Sequence, residues 1–366
     1  MYGQGKMERN ATRTNLTLIK LLGRIGRLAH KHLPFPVKGV LGVVQGLYGY
    51  YRHGQISHAA WCQLLESHCA SNGRFTEHLK RVIAVSRPQR RPAPVSGLLG
   101  TFSVAEQRKI VDVLERDGFY RFDALMPADL CDQIERFAQR APAEPDTPVG
   151  DITSLVIYDP GNPGARVFKI PERFSIAEAG VQRLMADEVF VAVAEMYLKS
   201  LPAIGGVDIW WSARYGNEPA SSAAQLFHFD FDAPPAWLKL FVYMTDVGPD
   251  NGPHVYVKGS HRANLISARA FRARGYTRID DKEIIAAFGR DALMSITGPR
   301  GTVFMADTRG FHKGTLPTAG HRLIAQLLYC SPVFNEHGVA RPISEIVEPA
   351  LETSLGKMPR VYDRFR

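Results

Sequence analysis

The stretch "LFHFDFDAPP" (226–235) sets His228, Asp230 and Asp232 at every second position, with Phe227, Phe229 and Phe231 between them. In a strand, successive side chains point to opposite faces. Read as a strand, the segment gathers its three polar groups on one face and its three rings on the other. The rings must be buried against a second layer, and the polar face must line a cavity or lie at the surface. A His and a carboxylate two residues apart are separated by roughly 6.6 Å at Cα, so both can reach one metal ion between them. A lone His-x-Asp arises readily by chance. An acidic surface turn before Pro234 and Pro235 also accounts for the pattern, so the flanking sequence has to decide.

From about residue 150 the chain breaks into short β-rich runs: "GGVDIWWSARYG" (205–216), "LKLFVYMTDV" (238–247), "GTVFMAD" (301–307) and "RLIAQLLYC" (322–330). Helical segments near 187–199 and 281–289 interrupt them. Several strands separated by turns predict a sandwich or barrel. The histidines downstream are His254, His261, His312, His321 and His337. His312 follows the strand-like run 301–307, and a loop after a strand can swing a His back toward a metal. Arg322 opens the last run. An arginine inside a barrel mouth needs an anionic partner, and its planar fork suits a carboxylate. Two His and one carboxylate with open positions form the facial triad of non-haem Fe(II) oxygenases. Trp210, Trp211, Tyr215, Phe229, Trp237 and Tyr243 lie in segments that can line a pocket, but core packing is the simpler expectation for most of them.

Upstream, Ser103 and Glu106 make a capping box. It opens a helix that runs to Gly118, followed by a strand at "FYRF" (119–122) and a helix from Pro127. "SRPQRRPAPVSG" (86–97) reads as a linker. Before it, Trp61, Leu64, Leu65, His68 and Cys69 fall at helical spacing, with His68 as a packing or surface residue. The segment 14–32 reads as a helix with Leu18, Leu21, Leu22, Ile25 and Leu28 on one face and Lys20, Arg24, Arg27 and Lys31 on another. Such a helix lies in a membrane interface or packs its apolar face on its own protein. The expected organisation is a basic helical region and linker over 1–97 and one β-rich domain over 98–366.

Charge supports that split. The 366-residue chain carries a net +9, yet residues 1–100 hold 15 Lys+Arg against 3 Asp+Glu, and the remainder is net acidic. A basic front meets an anionic partner or is simply a solvated face. No nucleic-acid motif is present, and aromatic residues are not interleaved with the basic run, so nucleic acid is not expected. The four cysteines form no CxxC pair or disulfide framework. A reducing cytoplasm is the simplest context, with association with a membrane surface left open. The apolar stretch 40–51 is too short for the ~20 residues of a spanning helix. Asn10 and Asn15 stand in N-x-T sequons, with no secretion signal to give them weight.

Taken together, "HFD" (228–230), "VYMTDVGPDNGPHVYVKGSHR" (242–262), "GTVFMADTRGFHKG" (301–314) and "GHRLIAQLLY" (320–329) resemble the phytanoyl-CoA dioxygenase-like family of Fe(II)/2-oxoglutarate oxygenases. "VLERDGFYRFDALMPADLCDQI" (113–134) is similar to that family's opening. The resemblance covers roughly 103–335. It implies a mainly β, double-stranded β-helix core (jelly-roll, cupin-like) preceded by the helical N-terminal region. It implies His228, Asp230 and His312 as iron ligands, Arg322 on the distal carboxylate of 2-oxoglutarate and, less directly, Lys169 of "RVFKIPE" near that cosubstrate. His261 becomes a turn residue, and Asp232 has no counterpart. Two departures stand out: Phe229 where the family commonly has a polar residue, and no Trp in "LFVYMTD".

The implied cofactors are Fe(II), 2-oxoglutarate and molecular oxygen. The implied reaction is hydroxylation, or desaturation, of a small-molecule substrate that is anionic or lipid-linked if the basic front serves it. Related halogenating enzymes replace the carboxylate with a small residue, so Asp230 argues against halogenation. Two other classes stay open: another cupin-like metal enzyme, against which Arg322 argues, and a non-enzymatic membrane-surface adaptor with an inert barrel.

Overall fold

The computed structural model describes residues 35–53, 56–146, 154–216, 218–219, 224–232, 235–275, 277–331 and 340–366. The helix expected over 14–32 and the sequons at Asn10 and Asn15 lie outside them.

Three helices open the described chain: α1 (Phe35–His53), α2 (His58–Ala70) and α3 (Arg74–Ser86). Ser57 starts α2 by accepting the Ala60 amide N–H, which satisfies one of the donors a helix start leaves bare. No helix among the described residues is long and apolar enough to cross a membrane. The Pro/Arg-rich stretch that follows has no regular structure over 87–94, yet it is tied down. Arg87 donates to the Leu201 carbonyl at 3.0 Å, and Arg90 pairs with Glu195 at 2.7 Å. A hairpin, β1 (Val95–Gly97) and β2 (Gly100–Phe102), leads into α4 (Val104–Asp117). The expected capping box of Ser103 and Glu106 is present, and Gly118 ends the helix at φ 88°, a left-handed conformation that favours glycine.

Next come β3 (Phe119–Arg121), α5 (Ala128–Ala138), β4 (Pro142–Pro145), β5 (Val156–Ile157) and β6 (Val167–Ile170). Short helices α6 (Glu172–Ser175) and α7 (Ala179–Met185) precede α8 (Glu188–Leu198). The barrel strands are β7 (Ala203–Ala213), β8 (Trp237–Tyr243), β9 (His254–Val257), β10 (Leu293–Ile296), β11 (Val303–Ala306), β12 (His312–Gly314) and β13 (His321–Cys330). Helices α9 (Ile266–Ala273) and α10 (Asp281–Phe288) bridge β9 and β10, and α11 (Pro349–Lys357) follows β13.

The strands pair in a large sheet, β3-β11-β8-β13-β7-β6-β4-β5, and a small one, β10-β9-β12, with every recorded pairing antiparallel. The chain passes back and forth between the two sheets. The result is the double-stranded β-helix expected from the sequence, a jelly-roll with its helices outside.

Alternation along each strand divides the molecule. On β13, Leu323, Ala325, Leu327 and Tyr329 belong to the helix-side core, while Arg322, Ile324, Gln326 and Leu328 line the space between the sheets. On β7, Val207, Ile209 and Trp211 face the helices, and Asp208, Trp210 and Ser212 face that interior. Sheets buried on both faces read as near-continuous apolar runs. The few polar residues within them therefore mark the inward face.

Candidate metal centre

The segment 226–232 is not a full strand. Two isolated antiparallel bridges hold it, Phe227 to Ile279 and His228 to His312. The His228 and His312 backbones exchange N–H···O bonds of 3.0 and 2.9 Å, and the Asp230 amide donates to Thr308 at 2.7 Å. These bonds suffice to impose the alternation. Phe227, Phe229 and Phe231 enter an apolar cluster with Trp237, Val257 and Phe311, whereas His228, Asp230 and Asp232 line the cavity. The N-terminal helices brace the back of the segment. Trp61 donates its indole N–H to the Phe231 carbonyl at 3.0 Å, and the His68 ring packs 5.8 Å from Phe229 and 5.2 Å from Phe231. His68 is thus a buried packing residue.

His312 is not on a loop, as its sequence position suggested, but is the first residue of β12, paired with Tyr256 of β9. The bridge to His228 needs that extended backbone. One ligating atom each of His228, Asp230 and His312 lies within 4.8 Å of the others. His228 Nε2 stands 3.6 Å from Asp230 Oδ1, and His312 Nε2 stands 3.4 Å from Asp230 Oδ2. Metal–ligand bonds of ~2.0–2.2 Å put neighbouring ligands ~3 Å apart, so a small contraction would close this set on one ion. Each Nδ1 lies 2.9 Å from a carbonyl oxygen, Leu226 for His228 and Gly310 for His312. A carbonyl only accepts, so each Nδ1 carries a proton, and Nε2 is the ring nitrogen left to face Asp230 and a metal. Burial, followed by the neighbouring His312, pulls His228 down to about 3, which keeps its imidazole neutral and free to ligate.

Lys239 of β8 completes the cluster, 2.6 Å from Asp230 Oδ2 and 2.6 Å from Asp232 Oδ2. Burial pushes the Asp230 carboxyl up, but Lys239 and His312 outweigh it and hold the group well below the usual range. Burial likewise works against charge on Lys239, and the two carboxylates outweigh it and raise its pKa. The lysine holds Asp230 Oδ2, which leaves Oδ1 the freer oxygen for a metal. It also gives Asp232 a partner.

Arg322 is 5% exposed and lines the same cavity, of about 570 Å³. Its guanidinium donates to the Gly252 carbonyl and, at 3.1 Å, to Ser212 Oγ, and its Nε has no hydrogen-bond partner. No carboxylate pairs with it among the described residues. Lys169 sits at the lip, its side chain 53% exposed, with Nζ 2.7 Å from Asp208. Burial of Lys169 favours proton loss, but Asp208 outweighs it and raises the pKa.

Of the other histidines, His261 bonds through Nε2 to the Glu115 carbonyl at 3.2 Å, as a turn residue would, and His321 packs against Trp211. His337 lies outside the described residues. His254 does face the cavity. Its ring stacks on His312 with centroids 5.3 Å apart, and its Nε2 has no partner. Among the aromatics singled out, Trp210 lines the cavity. Trp211, Phe229, Trp237 and Tyr243 are buried in the core, and Tyr215 is exposed.

Sequence reasoning named His254 without giving it a role, and missed Lys239, Asp208 and Gln326, which donates to Asp208 at 2.9 Å across β13 and β7. A signal existed for Lys239: it is the only charged residue in the seven-residue, wholly buried run "WLKLFVY".

Comparison of the sequence with family models and with curated proteins finds no match. Among solved structures, the chain is similar to EctD from S. alaskensis with bound Fe, at 21% identity and a TM-score of 0.44 over 67% of this chain and 83% of that one. It is similar to HygX from Streptomyces hygroscopicus with nickel and 2-oxoglutarate bound, at 18% and 0.42 over 63% and 89%. A third is the non-heme alpha ketoglutarate dependent carbocyclase SnoK from nogalamycin biosynthesis, at 15% and 0.43 over 61% and 83%. At such identities and scores, the roles of individual residues rest on this chain's own chemistry.

Proposed function

We propose that the protein is an Fe(II)- and 2-oxoglutarate-dependent dioxygenase that hydroxylates a small-molecule substrate, within a group resembling the phytanoyl-CoA dioxygenases. His228, Asp230 and His312 would hold the iron, with both histidines presenting Nε2 and Asp230 presenting Oδ1. The observation that carries the reading is Arg322. A buried cation without a counter-ion is costly. This one shares a cavity with a two-histidine, one-carboxylate cluster that leaves metal positions open, and 2-oxoglutarate is the anion that can touch both. Its keto-acid end would take the metal while its distal carboxylate meets the guanidinium fork. Lys169 belongs to the same reading as a lip cation that can donate to a cosubstrate carboxylate as well as to Asp208. The unpartnered Nε2 of His254 gives the cavity one more polar group for a bound ligand.

When bound, the iron and cosubstrate supply oxygen activation: one O₂ and one 2-oxoglutarate yield succinate and carbon dioxide, and the second oxygen atom goes into a substrate C–H bond. The residues of this chain bind, orient and exclude. Lys239 fixes Asp230, the two carbonyls fix the imidazoles, and the phenylalanine layer keeps water from the back of the site. Both lysines facing the cavity are already paired with aspartates, so the reading does not require an anionic substrate. The alternative of another cupin-like metal enzyme leaves Arg322 unexplained, and an inert barrel leaves the preformed cluster unexplained.

The test is succinate formation from 2-oxoglutarate by Fe(II)-loaded protein in air, beside His312→Ala. Turnover in the wild type alone is expected. Equal turnover in both would remove His312 from the ligand set.

A further inference from the structure

Helix α1 is built inside out. At 100° per residue, Gly39, Gly42, Gly46 and Gly49 fall within an arc of about 80°, and all four are buried. A Cβ at Gly39 would collide with the Phe75 ring, and one at Gly42 would lie 3.0 Å from Gln63 Cβ. The helix therefore presses bare backbone against α2 and the start of α3. Val43 packs inward against the cluster around Leu64, but four other aliphatic residues are on the far side. Val37, Val40, Val44 and Leu47 share an opposite arc of about 80°. Val37, Val40 and Leu47 are 43%, 58% and 46% exposed. A water-facing helix normally does the reverse, burying its branched side chains and exposing polar ones.

The charge around this stripe indicates what would cover it. Residues 9–65 contain eight Lys+Arg and no Asp or Glu, and of these Lys38 is paired, with Glu66 of α2 at 3.1 Å. An apolar helix face in a segment of a single positive sign suits the interface of an anionic bilayer, where aliphatic burial and headgroup attraction add. A protein partner would more often be met by charges of both signs.

We propose that the exposed Val37–Leu47 face of α1 docks the protein on an anionic lipid surface, lying in the interface without crossing it. The aliphatic side chains enter the acyl boundary, and the flanking lysines and arginines meet the headgroups. This brings the barrel to the membrane, and it stands independently of the oxygenase reading.

The test uses the full chain with Cys62→Ser and Val40→Cys, carrying an environment-sensitive NBD label at residue 40. Vesicles of phosphatidylcholine with roughly one-third phosphatidylserine should shift its emission to the blue, while phosphatidylcholine alone should not, and ~0.5 M salt should reduce the effect. In parallel, Val37→Gln/Val40→Gln/Leu47→Gln in the unlabelled chain should lower the vesicle partition coefficient about tenfold or more with the melting temperature unchanged. Three outcomes overturn the proposal. The label does not respond to anionic vesicles. It is already shielded without them, which would mean that a second copy or the chain's own N-terminal segment covers the stripe. Or the triple variant sediments with vesicles like the wild type.

Discussion

Two buried polar clusters flank the turn between β11 and β12, and they differ in one respect. In the first, Asp307 accepts from Tyr197 at 2.6 Å and from the Arg309 side chain at 2.5 to 3.0 Å, and Arg309 reaches Glu77 of α3 at 2.6 Å. Each charge there has its opposite. In the second, His228, Asp230 and His312 aim lone pairs at one point, and Arg322 is buried with no anion. Asp307, Tyr197 and Arg309 are buried, as are His228, Asp230, His312 and Arg322, so burial does not separate structure from function. Completeness does: the closed network welds the N-terminal helices to the barrel, and the open one has room for a ligand.

Breaking each cluster should give opposite phenotypes. His312→Ala should lower 2-oxoglutarate turnover by more than the ~10–100-fold that outer partners of a metal site typically control. Its melting temperature should stay within a few degrees. Asp307→Asn should do the reverse, costing about 3–5 kcal/mol in denaturant unfolding because Arg309 loses its buried counter-charge and keeps only the half-exposed Glu77. Iron binding should survive in the fraction that stays folded. If His312→Ala unfolded the protein while Asp307→Asn did not, the assignment of roles would be inverted.

Arg322→Met sharpens the contrast. Removing a buried cation that has no protein counter-ion should leave the ligand-free protein equally stable or more stable. Cosubstrate binding should weaken by about 2–5 kcal/mol, read as a raised KM for 2-oxoglutarate. Marked destabilisation of the ligand-free protein would mean that Arg322 is structural after all. Lys239→Met should act more gently, lowering iron affinity by ~10–100-fold through a poorly held Asp230. Metal titration monitored by activity would read it, and an unchanged affinity would reduce Lys239 to a partner of Asp232.

Acid sensitivity is the effect least tied to either cluster. Burial, ahead of neighbouring charges, lowers His261 from 6.5 to about 4, and His68 goes well below its ordinary value. Below pH 6.5 the unfolded chain takes up protons that the folded chain refuses. Stability should therefore fall as pH drops from about 6.5 toward 4, by up to ~1.4 kcal/mol per pH unit for each such group. Denaturant midpoints across that range check this, and His68→Gln should flatten the slope. A midpoint that rises on acidification would contradict it.

The architecture was legible because its decisive signals are local. The capping box at Ser103, the stop at Gly118 and the apolar runs of β7, β8 and β13 each specify their own element. His228 and Asp230 were legible by alternation, and Arg322 by its position at the mouth of an apolar run. Partnership was hidden. That Asp232 shares Lys239, that Trp61 braces Phe231, and that β12 lines up His312 against His228 all depend on strand pairing, which has no short-range mark. The burial of four glycines of α1 was hidden too, because it depends on the close approach of α2 and α3, where Gln63 and Phe75 meet the bare backbone.

The most direct test of the central claim is an anaerobic titration of Fe(II)-loaded protein with 2-oxoglutarate, following the visible metal-to-ligand charge-transfer band. The wild type should develop the band with saturable binding, Arg322→Met should develop it only at much higher cosubstrate, and His312→Ala should not develop it. No band in the wild type, or the same band in His312→Ala, would contradict the assignment of this cavity to iron and 2-oxoglutarate.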